Sequence, residues 1–199
     1  MQTKTVKTYY MAVKAMPGEP PTLVAWRDNW RKRGWTPHVL TETDAARHPK
    51  YPRYRTRCES FPTVNPKEYE MACWMRWLAF AQVGGGLMTD FDVVNRNYPQ
   101  VKMLDEPENV IILSRGRVPC AVIATKAGAE RIVDDVLNHA AKFDNHYSDM
   151  YFFQQTSYPH VELCIEAGDR DWEQAPLVHF SHNACNVNKL RRVEGMRGI

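Results

Sequence analysis

Two kinds of apolar pattern alternate along this chain. Thr5 to Val13 (TVKTYYMAV) is β-branched and aromatic and predicts a first strand. Pro17, Gly18, Pro20 and Pro21 predict a loop. Thr22 is placed to cap a helix running to about Lys32, with Leu23, Trp26 and Trp30 at helical spacing. Gly34 ends it, and Trp35 to Thr41 predicts a second strand. From 43 to 66 proline, arginine and tyrosine obscure any period, and the stretch reads as an irregular basic insert. Pro66 opens a strong helix to about Val83, with Tyr69, Cys73, Trp77 and Phe80 on one side.

The second half repeats the alternation. Gly84, Gly85 and Gly86 stop the helix, and Leu87 and Met88 enter a strand. Val110 to Leu113 and Ala121 to Thr125 predict strands around an Arg115–Pro119 turn. Lys126 to Phe143 predicts a helix with Ile132, Val136, Leu137 and Ala140 on its stripe. Ser148 is placed to cap a short helix through Gln155. Val161 to Ile165 and Leu177 to Phe180 predict late strands. Strands interleaved with helices imply an α/β fold: one mixed sheet flanked by helices in a single compact domain over 1–199. Such sheets bind ligands beyond the carboxyl ends of their strands.

Asp90 and Asp92 fall at that end of the Leu87–Met88 strand. Strand side chains alternate, so both aspartates are expected on one face. Two carboxylates so close repel unless a cation lies between them. Oxygen ligands suit Mg2+ or Mn2+, which keep open positions for phosphate oxygens.

Composition narrows the class. The chain has 199 residues, 44% hydrophobic and 25% charged, enough to bury a core. No apolar run approaches the ~18 residues that span a bilayer. The basic start, Met1 to Lys7, leads into no signal-peptide pattern. The five cysteines (Cys58, Cys73, Cys120, Cys164, Cys185) form no CxxC pair. They are expected to be buried free thiols, which points to a cytoplasmic location. Charge concentrates in Arg47–Arg57, which has five Lys/Arg, no acid and interleaved tyrosines, and again in the tail of about 186–199. Such a mixture suits a polyanion groove, although the net charge is only +3.

The segment Arg76-Trp77-Leu78-Ala79-Phe80-Ala81-Gln82-Val83-Gly84-Gly85-Gly86-Leu87-Met88-Thr89-Asp90-Phe91-Asp92-Val93 resembles the DxD sugar-binding region of GT-A (Rossmann-like) glycosyltransferases of the capsular-polysaccharide and α-mannosyl transferase type. Trp26, Trp30 and Trp35-Thr36-Pro37-His38-Val39-Leu40 look like that family's early helix and second strand. Two departures stand out. The family arginine lies one residue nearer the glycines than Arg76, and the family often carries an aspartate where this chain has Cys73.

The resemblance implies transfer of a sugar from a nucleotide donor, with UDP favoured, to a hydroxyl. It implies retention of the anomeric configuration. Asp90 and Asp92 would hold Mn2+ or Mg2+, with a late-strand histidine as third ligand; His179 is favoured over His182. Arg76, Asp90, Gly85, Gly86, Met11 and Val13 would serve the donor. Asp149 would lie under the donor sugar, or act as base if the reaction inverts; it also reads simply as a helix N-terminal acid. Arg53, Arg55 and Arg57 would meet an acceptor, either a saccharide or a hydroxymethylated DNA base. Two other classes compete: a silent nucleotide-sugar or nucleic-acid binding module, and a metal-dependent phosphotransferase or nuclease.

Overall fold

A computed structural model describes residues 4–11, 19–99, 109–139, 145–187 and 191–199. The first half contains β1 (Thr5–Tyr9), α1 (Pro21–Lys32), β2 (Thr36–Leu40), α2 (Glu42–Ala46), α3 (Tyr51–Glu59), α4 (Lys67–Gln82), β3 (Gly86–Thr89) and β4 (Val93–Asn95). The second half contains β5 (Val110–Ser114), β6 (Ala121–Ala124), α5 (Lys126–Asn138), α6 (Asp149–Gln155), β7 (His160–Glu166), β8 (Leu177–His179), α7 (His182–Val187) and α8 (Arg192–Arg197).

Among the described residues the strands form one mixed sheet, in the order β2-β1-β3-β6-β5-β7-β8-β4. The β2, β1 and β3 strands run parallel, and β6 reverses against β3. The carboxyl ends of β1 and β3 therefore share one edge, and Asp90 follows β3 there.

Continuous apolar runs such as Val110-Ile111-Ile112-Leu113 suit strands buried on both faces. Val110, Ile112, Val122 and Ala124 pack with α3, α4, α5 and α6. Ile111, Leu113, Ala121 and Ile123 pack on the opposite face with α1 and Met196 of α8. The predicted α/β layering is thus the observed one. The cysteines are free, four of them buried and Cys73 half-buried.

Four expectations need correction. The 43–66 stretch is not irregular, because α2 and α3 occupy much of it. Asp44 Oδ2 accepts the Thr41 N–H at 2.8 Å and starts α2. Pro52 sits in the first turn of α3, where its missing N–H costs nothing. Tyr54 and Cys58 give that helix its buried face, and the Tyr54 hydroxyl donates to the Trp74 carbonyl at 3.1 Å. Second, β3 ends at Thr89, so Asp90 and Asp92 lie in a turn and not on a strand. The Val93 N–H closes that turn on the Asp90 carbonyl at 3.0 Å. Third, Tyr69 does not join the buried side of α4 but stands 60% exposed, while Met71, Trp74, Met75 and Leu78 are buried with Trp77 and Phe80. Fourth, β1 ends at Tyr9, and Val13 lies outside the described residues, as does Ala140.

Gly85 shows why glycines precede β3. Its φ is +71°, and a Cβ there would stand 2.5 Å from the Ala124 carbonyl oxygen and 2.6 Å from that of Thr125. Only glycine lets α4 turn into the sheet this close to the β6–α5 junction.

Candidate functional site

The Asp90–Asp92 turn is braced from below by α1. Trp26 Nε1 donates to Thr89 Oγ1 at 3.0 Å, just before the turn. Trp30 Nε1 donates to the Val93 carbonyl at 3.1 Å, just after it. Asn29 Oδ1 accepts the Asn95 N–H at 2.7 Å. The Asp90 N–H extends the β3–β6 ladder by donating to the Cys120 carbonyl at 2.7 Å. The turn is therefore fixed by buried hydrogen bonds on both flanks, each worth about 1 kcal/mol net and costing more if left unmade.

β8 brings the third group. Val93 of β4 pairs with His179 of β8, and the Phe180 N–H donates to the Asp92 carbonyl at 2.9 Å. His179 Nε2 then lies 3.4 Å from Asp92 Oδ1. On its other side, His179 Nδ1 is 3.7 Å from Glu166 Oε1, a charge placed to orient the ring. Asp90, Asp92 and His179 each offer a ligand atom, and these atoms lie within 4.8 Å of one another. His182, at the start of α7, is exposed and contacts Asn186 instead.

Two arginines from distant elements complete the charge balance. Arg76 of α4 donates from Nη1 to Asp90 Oδ1. It also donates from Nε to Asp149 Oδ2 at 3.0 Å, and from Nη2 to the same oxygen. Trp77 Nε1 donates to that oxygen too, at 3.0 Å. Asp149, the first residue of α6, is buried. Arg192 of α8 donates from Nη2 to Asp92 Oδ2. Each aspartate thus has one oxygen held by an arginine. Asp92 Oδ1 is buried and makes no hydrogen bond among the described residues, and it faces His179 Nε2 across the 3.4 Å ion-pair contact.

The pKa directions follow from these contacts. Burial raises Asp90, against the pull of Arg76, and the charge of Asp92 raises it further. With 31% of its side chain exposed, Asp90 feels only part of that burial. Burial also works to raise Asp92, but His179 and Arg192 outweigh it and hold the carboxyl low. Burial would lower Arg76, yet Asp149 and Asp90 keep it above the ordinary arginine range.

Of the residues singled out from the sequence, Asp90, Asp92, His179, Arg76 and Asp149 come together. Met11 lies just past the carboxyl end of β1, on the same edge, and the neighbouring Tyr10 ring meets Phe91 edge-on at 6.2 Å. Gly85 and Gly86 do not join the aspartates. They stand at the opposite end of β3, where Lys7 Nζ donates to the Gly85 carbonyl at 2.5 Å. Arg53 is exposed. Arg55 pairs with Glu42 and Glu59, and Arg57 donates to the His139 carbonyl, so neither points a free charge outward. Arg192 was not foreseen individually; its only sequence signal is the basic tail.

The chain is an α/β protein carrying an Asp-Asp-His cluster with the donor set of a divalent-metal centre. It belongs to the family described as "Domain of unknown function (DUF8765)", which matches residues 6–117. No curated protein matches it. Among solved structures it is similar to a glycosyltransferase involved in the glycosylation of the major capsid of PBCV-1. The two are 15% identical over 98% of this chain and 99% of that one, with a TM-score of 0.49. A likeness of that degree carries no argument about activity. Among the described residues no helix is long and apolar enough to cross a membrane.

Proposed function

We propose that this protein is a metal-dependent glycosyltransferase that moves a sugar from a nucleotide-sugar donor to a hydroxyl. The observation that carries the reading is the convergence of Asp90, Asp92 and His179 at the carboxyl edge of β1 and β3. The order of helix, glycines and Asp-x-Asp in the sequence supports the same reading.

Asp90, Asp92 and His179 fit Mn2+ or Mg2+: two carboxylates and one imidazole, with Asp92 Oδ1 and His179 Nε2 turned toward each other. A divalent cation held there neutralises charge growing on a departing diphosphate. Tyr10 and Met11, at the end of β1, would receive the nucleotide, with UDP the favoured carrier. Arg76, whose fork is spent on Asp90 and Asp149, would serve the donor by holding Asp90 in place. Asp149 spends Oδ2 on three N–H donors, which suits a residue that orients Arg76 more than one that takes a proton. That favours retention, in which the departing phosphate itself accepts the acceptor's proton. A saccharide acceptor fits better than a hydroxymethylated DNA base, because Arg55 and Arg57 are engaged within the protein.

The test is a thermal-shift titration against a panel of nucleotide sugars, with and without Mn2+, on wild type and Asp92→Ala. A Mn2+-dependent rise in melting temperature with one donor, lost in Asp92→Ala, supports the reading through mass action. Release of nucleotide from that donor then separates a transferase from a silent binding module. Cleavage of DNA or of a simple phosphate ester, with no donor binding, would replace the reading with a nuclease or phosphotransferase.

A further inference from the structure

The two aspartates are held in matching ways. Arg76 takes one oxygen of Asp90 from α4, and Arg192 takes one oxygen of Asp92 from α8. Only the first of these arginines was legible as part of a site.

Arg192 is brought to Asp92 by packing. Met196 is fully buried against the α1 side of the core. Gly195 lies flat on the Phe180 ring, and a Cβ there would stand 2.5 Å from Phe180 Cε1. Phe180 follows His179 and donates its N–H to the Asp92 carbonyl. Arg33 of α1 closes the far end by donating to the Ile199 carbonyl at 2.7 Å. The helix therefore docks on the backbone that carries Asp92 and His179.

We propose that Arg192 is a positioning residue of the metal centre. It holds Asp92 Oδ2 so that Oδ1 stays turned toward His179 Nε2 and the cation. This rests on reading Asp90, Asp92 and His179 as a divalent-metal site. A free carboxylate rotates about its Cβ–Cγ bond and would present either oxygen to solvent. With Oδ2 fixed by a guanidinium, only Oδ1 faces the imidazole, 3.4 Å away. Partners that orient a ligand in this way are typically worth about 10- to 100-fold in metal affinity.

The measurement is a Mn2+ titration of the folded protein without donor, following the paramagnetic resonance signal of free Mn2+. Arg192→Ala is expected to weaken Mn2+ binding by about 10- to 100-fold. Arg192→Lys should restore part of the loss. Gly195→Ala, whose Cβ would stand 2.5 Å from the Phe180 ring and push α8 with Arg192 away from Asp92, should weaken binding too. Arg191→Ala should bind as wild type does, because Arg191 is exposed and pairs with Glu194. Unchanged or tighter Mn2+ binding in Arg192→Ala overturns the proposal. If that variant fails to fold, wild-type affinity in Arg192→Met, which keeps the side-chain stem and loses every donor, overturns it equally. A wild type that binds no Mn2+ removes the metal-site reading and this inference together, whereas a wild type that binds with a neutral Arg192→Ala removes this inference alone.

Discussion

Val93 and His179 face each other across the antiparallel pair of β4 and β8, and this register sets Asp92 beside the imidazole. A shift of one residue would turn His179 to the other side of the sheet. If this pairing builds the metal site, His179→Gln should lower Mn2+ affinity at least as far as the about 10- to 100-fold typical of lost outer-shell partners. His182→Gln should leave it unchanged. Calorimetric titration of the two variants checks the pair, and equal losses would reject His179 as the ligand.

Arg76 is buried between Asp149 and Asp90, so truncating it strands two carboxylates. Breaking a buried pair from one side costs about 3–5 kcal/mol. Arg76→Ala should show a loss of that order in urea unfolding near neutral pH. Arg76→Lys keeps the charge without the planar fork and should lose less. A wild-type midpoint in Arg76→Ala would mean that the clamp contributes nothing to the fold.

Trp26 and Trp30 act through their indole N–H groups as well as their bulk. Trp26→Phe and Trp30→Phe keep most of the ring but leave Thr89 Oγ1 and the Val93 carbonyl short of a donor. Each should cost about 1–3 kcal/mol. Because these bonds fix the turn between the aspartates, both variants should also bind Mn2+ more weakly. A loss of stability without any change in Mn2+ binding would separate the brace from the site.

Glu70 gives a pH signature away from the metal ligands. Asn65 Nδ2 donates to Oε1 at 2.7 Å, but Oε2 is buried without a hydrogen-bond partner among the described residues. Burial raises this carboxyl above the ordinary value of 4.5, and the Asn65 contact offsets only part of the rise. The folded state therefore holds the proton more tightly than the unfolded chain. Stability falls as pH climbs from that ordinary value through the raised one, and stays low above it. Glu70→Gln should remove this slope and melt higher than wild type at pH 8, with little difference at pH 4. Melting curves across that range would refute the account if the two proteins ran parallel.

Local signals made the sheet and the acidic turn readable. A continuous apolar run marked β5, and the glycines before Leu87 marked the entry to β3. α3 was hidden because its buried residues, Tyr54 and Cys58, are separated by arginines that dominate the composition. β4 was hidden because three residues are too few for a period to register. Asp90 and Asp92 could be read because only Phe91 separates them, and His179 because a resemblance pointed to a late strand. The Arg192–Asp92 contact joins positions 100 residues apart, and only the docking of α8 brings them together. Gly85 and Gly86 were read as donor contacts because they precede the aspartates, but four residues of extended chain carry the glycines to the far edge of the sheet.

The docking of α8 has a consequence for how the protein is born. A ribosome delivers Asp90 and Asp92 together, and His179 and Arg192 only after the strands and helices from β5 onward have been made. Until β8 slides in beside β4, the nascent chain holds two acids with no imidazole between them. If the cluster is a metal site, a chain stalled after β6 would carry the acidic motif without the histidine and the arginine that complete it.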